Sequence, residues 1–217
     1  MSLTNVTVII ELICVVFWIL AFGKFQKQRA YLILIGLLIL VGIEVYSHFI
    51  WNRTLGKVRV ESIFFLYNTV SVWLVSQIYC SFFLIQIKDR PKRNWIYYVA
   101  IPVWIYFIFG IVFKSPPHFF KWDFFLLTMC SCQILLTIGI FLAYLLQSDN
   151  NTGIARHLPF WVAVAFILFY TGSIPLLIVK SIFPLVQFDP ILFGLNVMQY
   201  GVLIFAVLWS KNISETP

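Results

Sequence analysis

The chain has 217 residues, 62% of them hydrophobic and 11% charged, with a mean hydropathy of +0.96 and a formal net charge of +7. A soluble globular domain carries about 25% charged residues, so this composition excludes an ordinary water-soluble fold and makes lipid the expected solvent of its surface. The positive excess calls for no nucleic acid, because basic loops facing anionic headgroups account for it.

A membrane-crossing helix takes about 20 mostly apolar residues. Seven such segments are predicted, over residues 6–23, 30–51, 61–87, 95–113, 122–147, 158–183 and 189–209, separated by short charged or Pro- and Gly-containing breaks. With their connections they use nearly the whole chain. The expected architecture is therefore a single membrane domain over 1–217, an all-α bundle of seven transmembrane helices.

The first segment carries Glu11 and lacks both a basic leader and a small-x-small cleavage site, so it is expected to stay as a mature helix. In the second, Glu44 interrupts an apolar run, about 20 Å from the Tyr31 end and about 10 Å from the Trp51 end. Glu11 enters from the opposite direction, about 8 Å from the start of its own segment, which sets the two carboxyls at one depth. His48 is four residues beyond Glu44, hence on the same helix face.

Glu61 and Asn68 are seven apart in the third segment, and Asp189 and Asn196 repeat that spacing in the seventh, where Gln199 and Tyr200 extend the stripe. The fifth segment holds Gln133 near its middle. The sixth contains Tyr170, Ser173, Lys180 and the irregular passage Tyr-Thr-Gly-Ser-Ile-Pro at 170–175, and Pro102 lies inside the fourth. Each internal proline removes a backbone donor and is a candidate kink. The matching directions of helices one to three and five to seven also allow a parallel repeat of two triplets about a linking fourth helix.

Nine of the fifteen Lys and Arg residues fall on one side of the predicted topology, among them the dense cluster Lys-Asp-Arg-Pro-Lys-Arg at 88–93. By the positive-inside rule this places the N-terminus outside and the C-terminus in the cytoplasm. The polar residues then gather in the outer half of the bundle, while the inner half reads as Leu, Ile, Val and Phe. An ionisable group at such depth costs about 2.5–3.5 kcal/mol on insertion scales, so it is expected to face the bundle and to find a partner. For Glu44 that partner is His48, Lys180 or a ligand; alternatively the carboxyl is hydrogen-bonded to neighbouring helices and fixes their packing.

Cys14, Cys80, Cys130 and Cys132 all fall within predicted spans. Two apart on a helix, Cys130 and Cys132 face different directions and make a poor metal or disulfide pair. No metal-ligand spacing, P-loop, nucleophile elbow or dinucleotide fingerprint occurs. No catalytic residue, metal or cofactor is expected.

Three passages carry a resemblance: Gly-Ile-Glu-Val-Tyr-Ser in helix two, Leu-Pro-Phe-Trp-Val-Ala-Val-Ala-Phe-Ile-Leu-Phe-Tyr-Thr-Gly opening helix six, and Asn-Val-Met-Gln-Tyr-Gly-Val-Leu-Ile-Phe-Ala-Val-Leu-Trp closing helix seven. In these and in its layout the chain resembles small seven-helix membrane proteins of Bacteroidota-type bacteria. That resemblance implies an architecture and a bacterial inner (cytoplasmic) membrane. A retinal protein of the microbial rhodopsin type is excluded, since helix seven has no lysine between Asp189 and Trp209.

The function expected from this pattern is non-enzymatic: an outward-facing pocket, walled by helices one, two, three, six and seven, that senses or binds a small molecule and acts through a membrane protein partner. Glu11, Glu44, His48, Asn68, Tyr170, Ser173, Asn196 and Gln199 are its candidate ligand-binding residues. The alternatives are a small-molecule or proton-coupled transporter, an intramembrane enzyme using the two carboxyls on a lipid-like substrate, and an accessory subunit whose helices pack on another membrane protein. Membrane lipid is the expected surrounding in every case.

Overall fold

The structure, a computed structural model, describes residues 3–25, 28–53, 67–113, 123–147, 154–182 and 189–210. The long helices are α1 (Leu3–Leu20), α2 (Tyr31–Arg53), α3 (Tyr67–Gln86), α4 (Arg90–Phe113), α5 (Phe124–Gln147), α6 (Leu158–Ile182) and α7 (Asp189–Trp209). A one-turn helix, Phe22–Phe25, follows α1, and a 3₁₀ turn, Ile154–Arg156, leads into α6. Among the described residues there is no strand. Four helices, Tyr67–Gln86, Phe124–Gln147, Leu158–Val179 and Pro190–Trp209, are long and apolar enough to cross a membrane, and the shorter apolar helices Val6–Leu20 and Tyr31–Tyr46 accompany them. This is the make-up of an integral membrane protein.

Local sequence accounts for the helix ends. Pro91, Pro159 and Pro190 each sit in the first turn of α4, α6 and α7, where a missing N–H breaks no helical bond. Asp123 caps α5: its Oδ1 accepts from the Leu126 N–H at 2.9 Å, and the Tyr106 hydroxyl of α4 donates to Oδ2 at 3.0 Å. Pro102 and Pro175 lie inside helices that run on past them.

The pattern of packing is a ring. Helices α1, α2, α3, α5, α6 and α7 each pack on the next, and α7 returns to α1; α4 packs outside against α5, with a light contact to α3. Two consecutive triplets thus make the ring, and α4 carries the chain from one to the other along its periphery. A reciprocal amide pair fastens the triplets where they meet at α3 and α5: the Gln77 and Gln133 side chains each donate to the other, at 3.0 and 3.1 Å. Trp104 of α4 adds an indole N–H to Gln77 Oε1 at 3.2 Å. In lipid such interhelical bonds contribute about 0.6–2 kcal/mol.

The two ends of the ring differ. Towards the end where α3 and α6 meet the basic connections, the interior is dry and aromatic: Trp18, Phe82, Phe83, Phe141 and Phe166 are fully or almost fully buried, with Phe83 centred 5.2 Å from Phe82 and 5.3 Å from Phe141. The outward faces are apolar too, with Leu20, Ile105, Leu146 and Leu208 well exposed. Water would penalise that surface, whereas acyl chains match it.

Candidate functional site

The site is built where the ring closes. Glu11, near the middle of α1, is buried, and the Tyr200 hydroxyl of α7 donates to its Oε1 at 2.6 Å. Glu44 of α2, half-buried, stands beside Glu11, so the two carboxyls that share a depth in the sequence also interact side chain to side chain. Glu11 Oε2 has no partner in hydrogen-bonding geometry.

Both carboxyls border a cavity of about 320 Å³ inside the ring, lined by all six ring helices and not by α4. From α6 come Phe169, Tyr170 and Ser173, and from α7 Asn196, Gln199 and Tyr200. The α3 wall is Tyr67, Ser71, Ser76 and Tyr79, and α5 adds Phe124 and Cys130. No lysine, arginine or histidine lines it among the described residues. Two further lining residues carry a covered side-chain oxygen with no hydrogen-bond partner, Tyr79, 1% exposed, and Ser71. Ser173 Oγ, by contrast, donates to the Tyr170 carbonyl at 3.3 Å.

The first eight residues of α3, Tyr67–Leu74, are π-helical. A π turn bonds i to i+5 and so takes one residue more than an α turn. Counting back from Ser76 in α turns reaches Val72 and then Asn68; the wider turn brings Tyr67 to the wall instead. Asn68 is accordingly not a cavity residue. It is buried towards α5, where its Oδ1 accepts from the Asp123 N–H at 3.4 Å.

Of the other candidates, Glu11, Glu44, Tyr170, Ser173, Asn196 and Gln199 meet around this cavity. The side chain of His48 lies outside the described residues, as do Glu61 and the side chains of Lys180 and Asp189. Among the described residues a second carboxyl, Glu11, is a neighbour of Glu44. Helix five joins the walls expected from the sequence. Cys130 is buried at the cavity and Cys132 exposed, as their spacing implies, and all four cysteines are free. Among the described residues no three His, Cys, Asp or Glu side chains gather as a metal-ligand set.

Tyr79 is the main lining residue that sequence patterning misses. Its ring packs on Phe166, 4.6 Å between centroids, and lies over Gly36 of α2. A Cβ at Gly36 would stand 2.3 Å from Tyr79 Cε1, a position no neighbour can yield because the ring is fully buried. Gly36→Ala is expected to lower stability by about 1–2 kcal/mol through overpacking. Gly172→Ala, whose Cβ would meet only the mobile end of Leu195 at 2.6 Å, should cost less. Melting temperatures of the two variants in detergent check this, and equal losses would show that Tyr79 is not fixed as described.

No family model, curated protein or solved structure matches the chain.

Proposed function

We propose that the protein is a seven-span, non-enzymatic membrane protein that binds a small molecule in an outward-facing pocket and passes the signal to a membrane protein partner. The observation that carries this reading is the cavity inside the ring, where Glu11, Glu44, Ser173, Asn196 and Gln199 are set in largely apolar walls. A few placed polar groups in an apolar wall are what a small-molecule site needs. The loop-charge asymmetry supports an outward-facing pocket and a cytoplasmic C-terminus. The resemblance to small Bacteroidota-type membrane proteins supports a bacterial inner membrane.

A second reading, a carrier, is favoured by one observation, the ring of two consecutive triplets around a central site, an arrangement that some transporters rock open on alternate sides. Against it stands the buried aromatic cluster of Phe82, Phe83, Phe141 and Phe166 towards the end of the basic connections.

Native mass spectrometry of gently purified protein beside Glu44→Gln tests the binding reading. The expected result is a co-purifying small molecule that is lost in the variant. No bound mass in either form, with equal melting temperatures, would reject the pocket and leave Glu44 a packing residue.

A further inference from the structure

We infer that the border between α3 and α4 is a binding site for an anionic phospholipid, with its phosphate at Arg90 and Arg93 and its chains along the apolar stripe that follows them. The site lies outside the ring and is independent of the cavity. Arg90, Arg93, Tyr97, Ile101, Trp104 and Ile108 succeed one another along α4 at steps of three and four residues, so they share one face of the helix. Trp104 donates to Gln77 of α3, which sets this face along the border with α3. The two helices make only a light contact, and Leu74 and Ile85 of α3 are exposed, as is every residue of the stripe but the half-buried Arg93.

Charge marks one end of the stripe. The run from Lys88 to Arg93 holds four basic residues and one acid, Asp89, and that acid stands 3.8 Å from Lys92. Lys92 is off the stripe: it turns to α5, where it bonds the Gln147 side chain and lies over the Tyr144 ring at 5.6 Å. Neither Arg90 nor Arg93 makes an ion pair among the described residues. Three residues apart, their guanidinium groups are neighbours on the helix, and each can donate two hydrogen bonds to phosphate oxygens.

The order and length of the stripe are those of a phospholipid. Behind the arginines comes Tyr97, a residue type that settles at headgroup level, and then Ile101, Trp104 and Ile108, which match acyl chains. From Arg93 to Ile108 the helix rises about 22 Å. One leaflet with its headgroups, half of a bilayer of about 40–45 Å, has the same thickness. A free anion would meet the arginines but make no use of the apolar run, which is the ground for a lipid.

The test is native mass spectrometry of the full chain released from detergent micelles and titrated with phosphatidylglycerol or with phosphatidylethanolamine of the same chains. The expected result is that phosphatidylglycerol binds at least about fivefold more tightly, the effect of one basic residue at an anionic surface, and that Arg90→Gln with Arg93→Gln abolishes the difference. Lys24→Gln with Arg156→Gln removes the same charge from exposed positions at the same end, and is expected to leave the preference in place. Glycerol 3-phosphate, which carries the charge without the chains, is expected to bind at least about tenfold more weakly than the lipid.

Should the double arginine variant fail to fold, Arg90→Gln alone, at an exposed side chain, is expected to lower phosphatidylglycerol affinity about fivefold. An equal loss in the Lys24 and Arg156 variant would overturn the site in favour of diffuse surface charge. Equal binding of the two lipids would overturn the anionic assignment, and equal binding of glycerol 3-phosphate would replace the lipid by a soluble phosphate. All three outcomes leave the cavity reading untouched.

Discussion

Phe83→Ala is expected to lower stability by about 3–5 kcal/mol, the range for truncating a buried phenylalanine. Phe83 has no exposed surface, and its ring sits among Phe82, Phe141 and Phe166, so it joins α3, α5 and α6 at a single point. In lipid the helices gain little from hiding apolar surface, because acyl chains are as apolar as the core. What remains is dispersion between close-packed atoms, and a hole in the floor forfeits it on every side. Equilibrium unfolding in mixed micelles of increasing dodecyl sulfate content measures the loss. Ile105→Ala, which removes a side chain 62% exposed on α4, provides the comparison, with a change within about 0.5 kcal/mol. Equal losses in the two variants would mean that the aromatic floor does not hold the ring together.

Tyr200→Phe is expected to cost about 2–3 kcal/mol. Its hydroxyl donates to Glu11 Oε1 at 2.6 Å between α7 and α1, and its removal leaves that oxygen of a buried carboxyl short of a donor. The cost comes from the orphaned acceptor more than from the lost bond. Removing both partners should therefore be milder than the sum of the single changes. The double variant Tyr200→Phe with Glu11→Leu is expected to recover at least 1 kcal/mol, roughly, relative to additivity. The same unfolding assay, run as a double-mutant cycle, decides it; strict additivity would show that the two side chains do not depend on one another.

Glu11 and Glu44 were legible in the sequence because a carboxyl in an apolar run is costly enough to require a reason. Their common depth followed from the rise of a helix. Ser173, Asn196 and Gln199 stood out for the same contrast against Leu, Ile and Phe. Tyr79, Phe124 and Phe169 did not, because aromatic residues in this chain face lipid, core and cavity alike: Phe109 and Phe125 are exposed, while Phe82 and Phe83 are fully buried. A membrane helix that is apolar all round does not reveal which face turns inward. The π turn at Tyr67–Leu74, which sets Tyr67 at the cavity and turns Asn68 towards α5, is a backbone feature that no side chain in that stretch announces. The ring order, with α4 set outside, depends on long-range contacts that no local pattern encodes.

The packed floor of the ring is also an electrical insulator. The potential across the membrane drops over the material between the two aqueous phases, and a charged occupant feels only the part of that drop it has crossed. Along α2, Glu44 lies nine residues from the Arg53 end of a 23-residue helix, about two-fifths of its length. Moving one elementary charge through the full potential amounts to about 2.3 kcal/mol per 100 mV. With the pocket open to water from the Arg53 end, as proposed above, that drop falls mainly across the floor beyond Glu44, and a charged occupant there would cross little of the field.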